Sequence, residues 1–261
     1  MSFLIRFVIF VALATLLVSS AAGSRVSPMI VELAPTGRDS IARIDLVNDG
    51  LRDIPYEVQM MRGAITPQGE LQLTPADEEF IVFPGQTVVE SNSQQVFRIQ
   101  YVGEEALAQS QVYYMSIRQV PVAFEGNSSQ IQMVVNYNVL VNVVPEGTTA
   151  QPVTRSATST TRMIPGPRDP ENPAADPPLV EQIGIEVDVG NSGNRYFLAG
   201  LSDWTITGRT EAGEPFELEL RGDEASRLIG VGVVAPSANR IFFIPTQQPV
   251  DPESLAVTVE S

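Results

Sequence analysis

Short strand-like segments separated by turn residues recur roughly every ten residues, and this spacing constrains the fold more than any other feature of the chain. Residues 40–47 alternate apolar and polar side chains, with Ile44 and Leu46 predicted to face inward, before the turn signal Asn48-Asp49-Gly50. Roughly seven or eight such strands between residues 26 and 147 are typical of an all-β, immunoglobulin-like sandwich, with a small barrel as the alternative. Only residues 104–108 resemble a helix.

The composition changes after residue 147. Residues 148–180 are rich in Pro, Thr and Ser and have no sustained apolar period, which is typical of a linker or insertion, although residues 151–161 can supply one edge strand. We therefore predict an N-terminal domain at 24–147 and a second β-sandwich at 181–261, in which Trp204 packs into the core. The strands predicted for this second domain are 184–189, 196–208, 215–220, 228–234, 240–245 and 255–259.

The chemistry available to the side chains excludes many classes of enzyme. The chain has no Cys and no His, so zinc fingers, His-ligated metals and Ser-His-Asp or Cys-His catalysis are excluded. With 31 acidic against 16 basic residues, the net charge of −15 disfavours a nucleic-acid partner. We expect no catalytic residues, no metal and no cofactor.

The N-terminus indicates export. Arg6 precedes an apolar run at residues 7–18, and small residues follow up to Gly23. This run is shorter than the roughly 20 residues that a membrane-spanning helix needs. Residues 1–23 are therefore predicted to be a signal peptide cleaved after Ala22 or Gly23, with an uncleaved membrane anchor as the alternative.

One strand changes character along its length. In residues 130–145, Ile131, Met133 and Val135 alternate with other residues, as in a strand with one exposed face. From residue 139 to residue 144 the sequence is apolar except for Asn142, which favours a strand covered on both faces. By themselves, Ile131, Met133 and Val135 also fit the inward face of an ordinary strand.

In their order along the chain, several segments resemble the periplasmic pilus-assembly chaperones of the chaperone–usher pathway, especially the archaic branch. The segments that carry the resemblance are Val26-Ser27-Pro28 through Val31-Glu32-Leu33, Ile44-Asp45-Leu46-Val47-Asn48-Asp49-Gly50, 80–84 with Val96-Phe97-Arg98-Ile99, 113–121, and the strand at 130–145.

The resemblance implies two immunoglobulin-like domains in a boomerang arrangement and a non-enzymatic function. Such chaperones insert one strand into a pilus subunit that lacks its last strand, and they deliver the subunit to an outer-membrane usher. Ile131, Met133 and Val135 would be the partner-binding side chains of the donated strand. The resemblance also implies periplasmic localisation, no membrane anchor after signal cleavage, and possible self-association of the unloaded chaperone.

The same resemblance implies a pair of basic residues in the cleft between the domains, which hold the subunit's terminal carboxylate. Here those positions fall at Ile30 and about Leu140, and neither is basic. Arg118 is a weak candidate for this anchor. Either another Arg substitutes, or strand addition alone holds the partner, or the chain is a divergent relative with another client.

Two other classes of function remain open at this point. A structural pilus subunit or adhesin would also be built of β-sandwich domains, but its mature N-terminus would carry a donor segment before the first strand. A secreted carbohydrate-active enzyme would use two carboxylates, and no aromatic-rich segment accompanies any candidate pair.

Overall fold

A computed structural model describes residues 23–121, 134–172 and 175–261. Strands dominate these residues, so the predicted all-β class is confirmed. The first β-sandwich is formed by ten strands: β1 (Ser24–Ser27), β2 (Ile30–Leu33), β3 (Ile41–Asn48), β4 (Ile54–Ile65), β5 (Leu71–Pro75), β6 (Phe80–Phe83), β7 (Gln86–Val89), β8 (Ser93–Tyr101), β9 (Gln111–Gln119) and β10 (Asn136–Val143).

Two sheets face each other in this sandwich. One has the strand order β1-β3-β8-β6, and the other has the order β2-β10-β9-β4-β5, with β7 paired to the start of β4. β2 runs parallel to β10, whereas the other pairs are antiparallel. The alternation predicted for residues 40–47 is confirmed, since Ile44 and Leu46 are both 0% exposed in the core between the sheets.

A second β-sandwich with its own core follows. Its elements are β11 (Pro152–Pro165), β12 (Leu179–Asn191), β13 (Phe197–Leu198), β14 (Asp203–Arg209), β15 (Pro215–Leu220), α1 (Asp223–Ile229), β16 (Val233–Val234), β17 (Asn239–Pro245) and β18 (Ala256–Glu260). The sheets β11-β12-β17 and β15-β14-β18 enclose Trp204, whose ring meets Phe242 edge to face at 5.7 Å and whose Nε1 donates to the Ala199 carbonyl at 2.7 Å. The packing predicted for Trp204 is therefore confirmed.

Three local predictions were wrong. Residues 104–108 hold no helix, and the predicted strand at 228–234 is instead the end of α1 followed by the two-residue β16. The predicted strand at 196–208 is interrupted by a 3-10 helix, Ala199–Leu201. Gly200, in this 3-10 helix, lies so close to the end of α1 that a Cβ there would be 1.8 Å from the Gly230 carbonyl oxygen.

The stretch at 148–180, predicted to be linker or insertion, holds all of β11 and the first residues of β12. These strands form an antiparallel ladder from Pro152↔Asn191 to Pro165↔Leu179, and β11 is the edge of its sheet. The Pro-rich residues 166–178 join the two strands, and the Gly166 N–H donates to the Pro178 carbonyl at 2.7 Å. The domain boundaries at 147 and 180 stay a prediction.

The predicted signal peptide lies almost wholly outside the described residues, which begin at Gly23. Within the part of the chain that the structure describes, no helix is long and apolar enough to span a membrane.

Candidate functional site

The second half of β10 is buried on both faces, as predicted. Val139, Val141 and Val143 are 0% exposed and point into the core of the first sandwich. Leu140 and Val144 point to the other side and are 4% and 9% exposed, because the second domain covers them. This half of the strand therefore anchors β10 between two packed layers.

An interdomain apolar cluster covers the outer face of the sheet that contains β10. Tyr196 and Val233 of the second domain pack there against first-domain side chains. The buried members of the interdomain apolar cluster are Val112, Tyr114, Leu140, Val144, Tyr196 and Val233, and its partly buried members include Ile30, Met61, Ile65, Leu73, Leu198 and Ala235. Contact between the domains therefore includes a buried apolar cluster.

A polar network lies beside this cluster. Arg195 Nη2 donates to both carboxylate oxygens of Glu32, at 2.8 and 2.7 Å, and the Tyr196 hydroxyl donates to Glu32 Oε1. Burial, with a further contribution from the Glu32 carboxylate, raises the pKa of the Tyr196 hydroxyl, so it remains a donor at neutral pH. A cleft of about 440 Å³ opens beside these residues, but Glu32 already neutralises the Arg195 guanidinium.

Removing this network is expected to loosen the domain contact only modestly. The Glu32 and Arg195 side chains are 44% and 37% exposed, so a double-mutant cycle of Glu32→Gln and Arg195→Gln should give a coupling of about 0.5–1 kcal/mol in urea unfolding. The matched control is Asp223→Asn with Arg227→Gln, an i,i+4 helix pair that is more than 70% exposed and should give a smaller coupling, of about 0.3 kcal/mol. Equal coupling in the two cycles would contradict a domain-joining role.

The first half of β10 has a free backbone edge. β9 pairs with β10 from Asn136 to Val143, but β2 pairs with it only from Leu140 to Val143. Among the described residues, positions 134–139 therefore have a neighbouring strand on one side only. We call residues 134–139 the donor edge.

The side chains of β10 that point into the core become more exposed toward the donor edge. Val139 is fully buried, Tyr137 is half-buried, and Val135, next in the same row, is 38% exposed. The Tyr137 hydroxyl donates to the Ser24 carbonyl and closes the end of the core, and burial raises the pKa of that hydroxyl. Val135 is thus the first side chain of the row to lie beyond the domain's own core, and its backbone is still held by Gln119.

Comparison with protein families gives a match for the part of the chain that carries this edge. Residues 31–149 match the family described as pili and flagellar-assembly chaperone, PapD N-terminal domain. The alternative of a structural pilus subunit is not favoured by this match, and comparison with curated proteins gave no match.

Solved structures confirm the predicted pair of immunoglobulin-like sandwich domains. A chain from a chaperone–tip adhesin complex of CFA/I fimbriae biogenesis is 10% identical, with a TM-score of 0.50, and the alignment covers 92% of this chain and 99% of that one. The class 5 fimbriae chaperone CfaA gives the same identity, coverage and TM-score. At this identity the likeness extends to the fold.

The predicted site residues have different outcomes. Ile131 and Met133 lie outside the described residues, whereas Val135 lies on the donor edge. Arg118, predicted as a weak cleft anchor, is paired in register with Asn136 and makes an ion pair with Glu57. Arg118 therefore lies beside the donor edge, and its role as a carboxylate anchor stays a prediction.

Ile30 and Leu140, where the basic anchors of related chaperones were expected to fall, are direct neighbours. They are register partners in the parallel ladder between β2 and β10, and both belong to the interdomain apolar cluster. The sequence did not reveal that Tyr196 and Arg195 of the second domain contact this part of the first domain. Since Arg195 lies 163 positions from Glu32, no local pattern connects the two residues.

Proposed function

We propose that this chain is a periplasmic chaperone of an archaic-type chaperone–usher pathway, which binds a pilus subunit by lending it the donor edge and delivers it to an outer-membrane usher. The observation that carries this proposal is the row of side chains that leaves the core at Val135 on a strand with a free backbone edge. This edge lies within residues 31–149, whose match to the pilus-assembly chaperone family supports the proposal. Strand donation needs no catalytic residue and no cofactor.

Binding would proceed by β-augmentation. The free backbone groups of the donor edge would pair with a strand of the subunit, and Ile131, Met133 and Val135 would fill alternate positions of its open groove. Burying each of these side chains contributes about 1.5–3 kcal/mol, so three can supply most of the anchoring free energy. The alternation also fixes the register, since a shift by one residue would turn all three side chains away from the groove.

We propose that strand addition holds the subunit without a basic anchor at Ile30 or Leu140. Support comes from the packing of both side chains in the interdomain apolar cluster, where a cation would lose its hydration. Val135 and its neighbour Val134 are 38% and 41% exposed. An exposed apolar edge favours pairing with other strands, so we expect the unloaded chaperone to self-associate through it.

Purification from the periplasm of the source cell tests the proposal. A tagged chain should co-purify with a smaller β-rich protein in a one-to-one complex, and Met133→Asp should abolish this complex while leaving the chaperone folded. Gln132→Asp, with the opposite side-chain direction on a strand, is the control and should retain the partner. A chain that stays without any subunit partner, or a complex that survives Met133→Asp, would count against strand donation.

A further inference from the structure

A second surface, on the opposite sheet from the donor edge, combines paired arginines with exposed apolar side chains. β3, β8 and β6 are neighbours in this sheet, and their registers align Arg43 with Arg98 and Arg98 with Phe83. Ile81 and Val96 lie on the same outward face, because Phe97 and Ile99 between them point into the core. We call Arg43, Arg98, Phe83, Ile81 and Val96 the arginine face.

The two arginines face each other, and no acidic side chain among the described residues forms an ion pair with either of them. Both are exposed, and neither side chain makes an ion pair or a hydrogen bond with any of the described residues. The nearest acidic residue in these rows, Asp45, accepts a hydrogen bond from Gln94 Nε2 at 2.8 Å. Like charges directly opposite on neighbouring strands destabilise a sheet. Repulsion between Arg43 and Arg98 therefore lowers the stability of this sheet, and such a pair is unexpected in a chain of net charge −15.

The apolar members of the arginine face are unusually open to solvent. Phe83 is 73% exposed, Ile81 56% and Val96 42%, whereas the alternate residues of the same strands are buried or half-buried. β6 is also the edge of its sheet. Contiguous apolar side chains of this size, placed beside fixed positive charge, are typical of a surface that a partner covers.

We propose that the arginine face is a docking surface for an extended, acidic segment of a partner protein that carries interspersed apolar residues. Carboxylates of the segment would contact Arg43 and Arg98, where paired positive charge favours them, and its apolar side chains would cover Phe83, Ile81 and Val96. The donor edge belongs to the other sheet. A chaperone can therefore occupy both surfaces at once, and the inference stands independently of strand donation.

Fluorescence anisotropy with a short synthetic peptide tests this surface in the mature chain. The probe has glutamates interspersed with phenylalanine and valine, and the comparison peptide has lysine at every glutamate position. We expect saturable binding of the acidic probe, with affinity at least about tenfold weaker in the Arg43→Gln, Arg98→Gln double variant. Arg209→Gln, an exposed arginine of the second domain, is the matched control and should leave the affinity unchanged.

Three outcomes would overturn the proposal: no saturable binding, equal affinity for the lysine peptide, or affinity that is insensitive to the double variant. Thermal unfolding gives a second readout, because relief of the Arg43–Arg98 repulsion should raise the melting temperature of Arg43→Gln. A lower melting temperature would assign the pair a structural role instead. Met133→Asp should not change peptide binding, so failure of strand donation and failure of this docking surface are distinguishable.

Discussion

Replacing Met133 and Val135 together by aspartate is expected to weaken binding of the pilus subunit by at least about a hundredfold. Each side chain contributes about 1.5–3 kcal/mol when it is buried in the subunit, so the pair accounts for about 3–6 kcal/mol. The chaperone itself should remain folded, because Val135 is already 38% exposed and lies beyond the core that Tyr137 closes. Titration of purified subunit against the variant measures the change in affinity, and circular dichroism checks the fold.

Val134→Asp is the matched control for this loss. Val134 is 41% exposed, which is close to the value for Val135, but its side chain points to the opposite side of the strand. It should therefore affect binding far less than Val135→Asp. Equal losses from the two single variants would mean that the strand does not enter a groove by alternate side chains. Global unfolding of the double variant would instead place these residues in the chaperone's own core.

Truncating Leu140 to alanine is expected to destabilise the second domain as well as the first. Leu140 is 4% exposed in the interdomain apolar cluster, and removal of a buried leucine side chain costs about 2–5 kcal/mol. Trp204 is the only tryptophan and lies in the core of the second domain, so its fluorescence reports unfolding of that domain alone. Urea unfolding followed by this signal should shift to lower urea concentration in Leu140→Ala.

Asn138→Ala provides the comparison for Leu140→Ala. Asn138 lies two residues earlier on the same face of β10, but it is exposed and lies outside the interdomain apolar cluster. Its replacement should change stability by no more than about 0.5 kcal/mol. A Trp204 transition that does not move in Leu140→Ala would show that the two domains unfold independently and that the cluster does not couple them.

Local sequence patterns predicted the strands whose side chains are buried in the core of their own β-sandwich. The alternation of Ile44 and Leu46 was sufficient to orient β3, and the turn at Asn48-Asp49-Gly50 marked its end. The α-helix at Asp223–Ile229 was missed because its apolar end was interpreted as a strand. Its signals were present: Asp223 and Glu224 occupy the first turn, and Gly230, at φ 69°, ends the helix.

Part of the candidate site was also predictable from a local sequence pattern. The change along β10 from alternating to continuous apolar residues indicated correctly that residues 139–144 are covered on both faces. What covers the outer face could not be predicted, because Tyr196 and Val233 are distant in sequence and lie on elements of the second domain. The pairing of Ile30 with Leu140 likewise depends on a parallel ladder between two remote strands. That Ile30 and Leu140 are not basic was visible in the sequence, whereas their packing between the two domains was not.

Amide hydrogen exchange of the chaperone, alone and in complex with its subunit, tests strand donation most directly. Residues 134–139 have a neighbouring strand on one side only among the described residues, so amides that point to the free side should exchange quickly in the unloaded chaperone. Strand donation predicts strong protection of these amides, and of residues 131–133, when the subunit is bound. Unchanged exchange at residues 131–139, with protection elsewhere on the chain, would contradict it.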